Sequence, residues 1–573
     1  MTHQRPEGLR AAITRPLSAA AAAGLFGMTM YGCTEASSSP APVLSAPVLP
    51  TTTLSSPIAQ PVVFAASVAQ ETGFTYEDSR QDGDALVLTG VRYVLDGTTV
   101  SAERLRVEAP GTGPNEAVTA RRIAAYGVVI ESADGEAAEA ADATEGDTEP
   151  SGALTISAAT VTRIAEITVD APVYAQPPSV GADAAPSERR QSAAALLGAL
   201  SFGTLRADGI AFEAEGATGT VQAFEAAGYA EARLGQVQAS GIEFAAPDGT
   251  AGLREALAGA PGLAKFVASP LGRMLTSTNE RTQIERIVWN GLDLSGPRAA
   301  LAAGQAPGLD ADDVVFGDLV LEGQTSVVGG TVAQRVAATR VTGVRFQGVV
   351  PTDAVITTEG AVTDMNAYAA AAGDEAVALI EARGLDQVEG RSEARLRYDP
   401  ETGRFTATSD AQMDGLYGMR MQLDVGGLSE IVSGLTGDAA EAGADGADLV
   451  GEIERFGAVG EDLTLNALSI SVRDEQLLEL GFALAALGSD RSAAALRQQA
   501  VSTVTLGALQ GAAVSPRVPD YAAAISSFLS DGGTLTIRMA PEGGLTAAGA
   551  QEALSASPAG ILDAADLTIT RTP

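Results

Sequence analysis

One cysteine, Cys33, one histidine, His3, and one lysine, Lys265, are all that this 573-residue chain offers for thiol, imidazole or amine chemistry. His3 lies in a leader-like start, so the remaining body has no imidazole, which excludes Ser-His-Asp and Cys-His catalysis and histidine-ligated zinc, iron or copper. Lys265 follows Ala264 rather than glycine, so it is no phosphate-cradling lysine, and position 262 is glycine where a Ser-x-x-Lys nucleophile needs serine. No Gly-x-Ser-x-Gly elbow and no strand-borne dinucleotide glycine motif is present. Paired carboxylates are the chemistry left over. Asp310-Ala311-Asp312-Asp313 and Glu452-Ile453-Glu454 are the densest pairs outside one acidic loop. Both read as solvated charge, because a glycosidase would bring aromatic platforms and Trp289 is the only tryptophan. Trp289 precedes Asn290-Gly291 and is expected to pack at a strand rather than hold ligand. No catalytic residue, metal ligand or cofactor is assigned, and the expectation is a noncatalytic protein.

Cys33 carries the one specific chemical signal. Arg5, Arg10 and Arg15 precede a short apolar stretch, Leu17 to Met30, shorter than the roughly 20 residues a membrane span requires. Met30-Tyr31-Gly32-Cys33 then resembles a bacterial lipobox, in which a small residue precedes a cysteine that is acylated after cleavage. Gly32 and Cys33 fit that pattern; Met30 and Tyr31 depart from it. A lone cysteine cannot close an intramolecular disulfide, and lipidation explains its position better than redox chemistry. Residues 1–33 are therefore read as a signal peptide with a lipobox, the alternative being an ordinary secretory signal cleaved in the Ser/Pro/Ala stretch that follows. Residues 34–62, with Pro40, Pro42, Pro47, Pro50, Pro57 and Pro61, are read as an extended tether. The expected location is the periplasmic cell envelope, anchored through lipid to the inner or outer membrane. The net charge of −36 repels phosphate backbones, so nucleic acid is not an expected partner.

The elements that follow read as β-rich. From 63 to 363, short apolar alternations are bounded by Gly, Asp and Pro. A unit of glycine, aliphatic, any residue, apolar recurs as Gly90-Val91-Arg92-Tyr93, Gly127-Val128-Val129-Ile130, Gly209-Ile210-Ala211-Phe212, Gly241-Ile242-Glu243-Phe244, Gly291-Leu292-Asp293-Leu294 and Gly343-Val344-Arg345-Phe346. The spacing is irregular, so the units are degenerate strand repeats rather than a solenoid, each glycine opening a strand at a bulge or bend. Residues 131–149 carry eight acids and no base and are expected to be a solvated loop without calcium-loop spacing. Residues 175–192 are expected to be a flexible connection, and Leu253 to Leu275 to contain helix. From 364 to 573 an α+β unit is expected. It begins with a helix over Met365 to Arg383 and a hairpin over Glu393 to Thr408. Strands follow at Met419–Val425 and Leu463–Val472, with a linker at 437–447 between them. Helices near 474–487, 490–510 and 519–530 precede closing strands at Thr534–Met539 and Leu567–Thr570. The fold class is mainly β: an elongated or curved antiparallel sheet of degenerate repeats, then a helix-covered sheet.

The signal peptide and the glycine-led strands, best seen at Gly209-Ile210-Ala211-Phe212 and Gly241-Ile242-Glu243-Phe244, resemble bacterial AsmA-like envelope proteins over residues 80–350. Those proteins usually carry an N-terminal transmembrane helix, where this chain carries a lipobox-like sequence. The resemblance implies a periplasmic role in envelope lipid homeostasis or transport along a sheet with an apolar face, and it transfers no functional residues. The alternation itself nominates Ile210, Phe212, Ile242 and Phe244 as apolar-face contacts for a lipid. A structural or adhesive surface protein is the alternative, and a carboxylate-dependent hydrolase ranks last.

Overall fold

The computed structural model describes residues 75–95, 98–113, 117–132, 161–175, 185–214, 217–245, 280–304, 314–347, 350–429, 463–513, 515–557 and 559–573. Twenty-two strands join in one antiparallel sheet. They are β1 (Asp78–Asp82), β2 (Ala85–Leu95), β3 (Thr98–Glu108), β4 (Gly111–Thr112), β5 (Val118–Thr119), β6 (Arg122–Ser132), β7 (Val161–Asp170), β8 (Val173–Tyr174), β9 (Leu200–Ala214), β10 (Ala217–Ala230) and β11 (Arg233–Ala245). They continue as β12 (Arg281–Asp293), β13 (Asp318–Val328), β14 (Thr331–Gln347), β15 (Val350–Asp364), β16 (Gln387–Asp399), β17 (Arg404–Met413), β18 (Tyr417–Gly426), β19 (Thr464–Asp474), β20 (Gly533–Met539), β21 (Leu545–Thr546) and β22 (Thr568–Thr572). The long strands pair in the order β1-β2-β3-β6-β7-β9, run in sequence from β9 to β20, and end on β22. Among the described residues no register joins β1 to β22, so the sheet stays open. Pairing of β15 with β16 carries it across 363/364 without a break.

The repeated glycines explain how such a long sheet is shaped. Gly90, Gly127, Gly209, Gly241, Gly323 and Gly360 all have φ between +59° and +64°. The registers place them at one level: Gly90 faces Glu103, which faces Gly127, then Ala165, Gly209, Gln222, Gly241, Glu285, Gly323, Ala337 and Gly360 in turn. A single row thus crosses the sheet from β2 to β15, with glycine on every second strand. Left-handed backbone is open to glycine at little cost, and glycine kinks bend sheets. The row also shifts the phase of the alternation. Leu86, Leu88 and Val91 share one hydrophobic cluster with Val100, Ala102, Leu105 and Val107 of the neighbouring strand. On β2 the apolar face therefore takes residues at spacings of two and then three, and Thr89 and Gly90 both turn away from it. The glycines lie inside their strands, not at the starts where the sequence reading placed them. A second, shorter row holds Gly291 and Gly343, with φ of +80° and +63°.

Helices cap the ends of the sheet. α1 (Pro186–Ala199) and α2 (Ser295–Ala302) lie beside the Phe202–Tyr229 stack, and the Tyr229 hydroxyl donates to the Leu197 carbonyl at 2.9 Å. α1 corrects the expected connection at 175–192, since Pro186 sits in the first turn, where its missing N–H is harmless. The expected helix over 365–383 is two helices, α3 (Met365–Ala369) and α4 (Asp374–Glu381), parted at Gly373 with φ of +111°. Asp364 caps α3 by accepting from Asn366 N–H at 3.0 Å. α5 (Leu477–Leu487), α6 (Ala493–Gly511) and α7 (Val518–Asp531) match the three helices expected after 474, and α8 (Ala547–Ala556) and α9 (Gly560–Ala564) precede β22. The expected hairpin at 393–408 is β16–β17, turning at Gly403 with φ of +61°. The acidic loop beyond Ser132, the expected helix at 253–275, the linker at 437–447 and residues 1–74 lie outside the described residues.

One polar tie joins three C-terminal strands. Arg404 Nε donates to Asp424 Oδ1 at 2.8 Å, Arg404 Nη2 to Asp424 Oδ2, and Asn466 Nδ2 to Asp424 Oδ1 at 3.0 Å. The Arg404 hydrogen bonds hold the Asp424 carboxyl below its ordinary range against a desolvation that pushes it up, with Asn466 adding to the lowering. A depressed carboxyl stabilises the fold above its unfolded pKa of about 3.9 and loses that contribution as pH falls through the folded value. Asp424→Asn should therefore unfold more easily than wild type at pH 7, by about 1–2 kcal/mol, the scale of a partly exposed charged hydrogen bond. Urea titrations from about pH 7 to pH 3 should show the gap closing below about pH 4; a gap constant with pH would refute the assignment.

Candidate functional site

The four nominated residues come together. Ile210 on β9 pairs with Val221 on β10, which pairs with Ile242 on β11, and Phe212 and Phe244 flank Gly219 one row further along. The rings of Phe212 and Phe244 stand 5.7 Å apart, tilted by 56°. Gly219 is what lets them meet, because a Cβ there would fall 1.9 Å from Phe212 Cζ. The alternation rule, which looks for apolar residues, passes over such a position. The four differ in access: Ile242 is 4 % exposed, Ile210 and Phe212 are half-buried, and Phe244 is 39 % exposed.

Two aliphatic rows extend this patch along the crease. One runs Val91, Ala102, Val128, Ile164, Ile210, Val221, Ile242, Ile284, and the other lies just across the glycines and includes Leu88, Leu105, Ile167 and Phe224. The strip crosses β2 to β12, so at about 4.8 Å per strand it is about 34 Å long. It ends in polarity. Beyond Ile284 the same row reaches Gln324, and the next row reads Thr282, Ser326, Gln334, Thr363, all buried and uncharged. Ser326 Oγ is buried without a hydrogen-bond partner. Gly323 and Gly360, the two crease glycines outside the glycine–aliphatic motif, sit here, followed by Gln324 and Ala361 in place of a larger aliphatic residue.

The opposite face carries charged ladders around buried Val87, Ala124 and Val288. Arg106 bridges Asp82 at 2.7 Å, Arg206 holds Asp208 at 2.8 Å, and Arg286 meets Glu322 at 3.6 Å. Hydrogen bonding to Arg206 lowers the Asp208 carboxyl. These are exposed ladder pairs between and along strands, worth little each. Among the described residues no group of three or more His, Cys, Asp or Glu could hold a metal, and no helix is long and apolar enough to cross a membrane. Asp310, Asp312, Asp313, Glu452, Glu454 and Cys33 lie outside the described residues. Trp289 packs as expected: its Nε1 donates to the Phe316 carbonyl at 2.6 Å and its ring lies 4.8 Å from that of Phe316. Most of the strip is already buried, with Leu88, Val91, Ala102, Val128, Ile164, Ile242 and Ile284 each at 9 % exposure or less, and it is Phe244 that offers apolar surface to another molecule.

No curated protein matches the chain. A family model described only as an uncharacterized protein matches residues 410–572, the stretch from the second half of β17 through β22 that contains α5 to α9.

Proposed function

We propose that this is a noncatalytic, exported envelope protein that binds or conveys lipid on the apolar face of its creased sheet, tethered to a membrane through an acylated Cys33. The observation that carries the reading is Phe244, left 39 % exposed at the edge of an otherwise buried aliphatic strip. Apolar area removed from water is worth about 25 cal/mol per Å², so an acyl chain can be held against the exposed Phe244 and the half-buried Ile210 and Phe212 without any charged contact. A body without histidine or a second cysteine suits such work, because holding a chain demands shape and apolarity rather than proton transfer.

Phe244 is the position at which to test this. Ile242→Asp would bury a charge at a 4 % exposed site and unfold the protein, whereas Phe244→Glu places its carboxylate at an exposed one. The variant should lose most co-purifying phospholipid, several-fold by mass spectrometry, while thermal unfolding drops only slightly through the lost ring contact, worth about 0.5–1.5 kcal/mol. Wild-type protein free of lipid under every gentle extraction, or a variant that keeps the wild-type amount, would overturn the proposal.

A further inference from the structure

α6 presents a seam that the described residues leave uncovered. The helix packs one side on α5 and α7 through Leu496, Val501, Val504 and the buried Ala508. On the other side Ala495, Gln499, Ser502, Leu506 and Leu509 recur at spacings of four, three, four and three, and all are exposed. Leu506 is 60 % and Leu509 71 % exposed, the two highest values for large hydrophobic residues among the described residues. From Gln498 to Pro516 the chain has no charged residue, in a protein of net charge −36. The hydroxyls in and beside the seam are already satisfied: Ser502 donates to the Gln498 carbonyl at 2.8 Å, Thr503 to the Gln499 carbonyl at 2.9 Å and Thr505 to the Val501 carbonyl at 2.9 Å. Gly507 has open space where a Cβ would stand, which lets a second backbone come close.

We infer that this seam is a two-fold contact with a second copy of the chain, α6 against α6. Four–three spacing is the geometry by which one helix receives another. A helix lying on a bilayer needs a broad apolar face backed by basic residues, whereas here Gln498, Thr505 and Gln510 crowd the strip and no base follows Arg497 before Arg517. Two bodies of the same strong negative charge repel wherever acids face each other, so a neutral seam is where copies can meet. An isologous contact brings the same leucines together from both sides. The helix is about 28 Å long and presents less than the roughly 800 Å² per partner of a standard interface, so the dimer is weak and concentration-dependent.

Sedimentation of the purified full-length chain, in nonionic detergent with reductant to exclude a Cys33 disulfide, should show a monomer–dimer equilibrium up to about 100 µM. Leu506→Asp and Leu509→Asp should each weaken it more than tenfold with unchanged thermal unfolding, since both side chains are exposed. A wild-type chain monomeric throughout, or a dimer that survives both substitutions, overturns the inference. So does a monomer that floats with neutral phosphatidylcholine vesicles in a Leu506-dependent way, which would make the seam a bilayer contact.

Discussion

Gly360→Ala will destabilise the protein by about 2–5 kcal/mol, more than alanine at Gly343, which shares its backbone conformation. Two effects add at this site. Its φ of +61° is a conformation that costs a side-chain-bearing residue about 1–2 kcal/mol. The new Cβ would also stand 2.7 Å from the Cβ of Ala337, an atom fixed to its backbone with no rotamer to retreat into, and overpacking of that kind costs about 1–3 kcal/mol. Gly343 separates the terms: its φ is +63°, but nothing lies within 4 Å of its Cβ, so Gly343→Ala should cost only about 1–2 kcal/mol. Ala337→Gly added to Gly360→Ala should recover the steric part and leave the conformational part. Urea midpoints of the four proteins decide the matter. Equal losses at 343 and 360, or no recovery in the double variant, would show that the crossing row is not packed as described.

The second large effect belongs to the C-terminal core. Ile380 on α4 is fully buried and Leu484 on α5 is 1 % exposed, in one cluster with Val388 of β16 and Met413 of β17. Ile380→Ala should cost about 2–5 kcal/mol, the transfer loss plus the cavity left where neighbours cannot collapse. The cluster fastens two helices from distant parts of the sequence onto neighbouring strands, so the loss should appear as cooperative unfolding rather than local fraying. Leu484→Ala should cost a similar amount, and the pair should not add, because each enlarges a cavity the other lines. A loss below about 1 kcal/mol for Ile380→Ala would mean that α4 is not seated as described.

Much of this was legible from local patterning. The hairpin at β16–β17 follows from Pro400 and Gly403 between alternating runs, and α5, α6 and α7 from their composition and spacing. Four glycines of the crease announced themselves because an aliphatic and then an apolar residue followed each. Two did not, and no rule that reads one strand at a time would find Gly323 or Gly360. The helix break at Gly373 was hidden for a related reason: an alanine-rich run is compatible with one helix or two.

Composition and alternation determined by themselves that the protein is β-rich, that its apolar residues share a face, and that the described body holds no imidazole or thiol. They do so because side-chain period and chemical inventory belong to each short segment alone. Tertiary structure decided the rest. It placed glycines that lie up to 82 residues from the next in sequence, as Gly127 does from Gly209, side by side in one row. It carried one sheet across 363/364, buried Ile242 while leaving Phe244 open, and left Leu506 and Leu509 bare. Register and coverage are set by which strand or helix arrives alongside, and that is a property of pairing over distance which no single segment encodes.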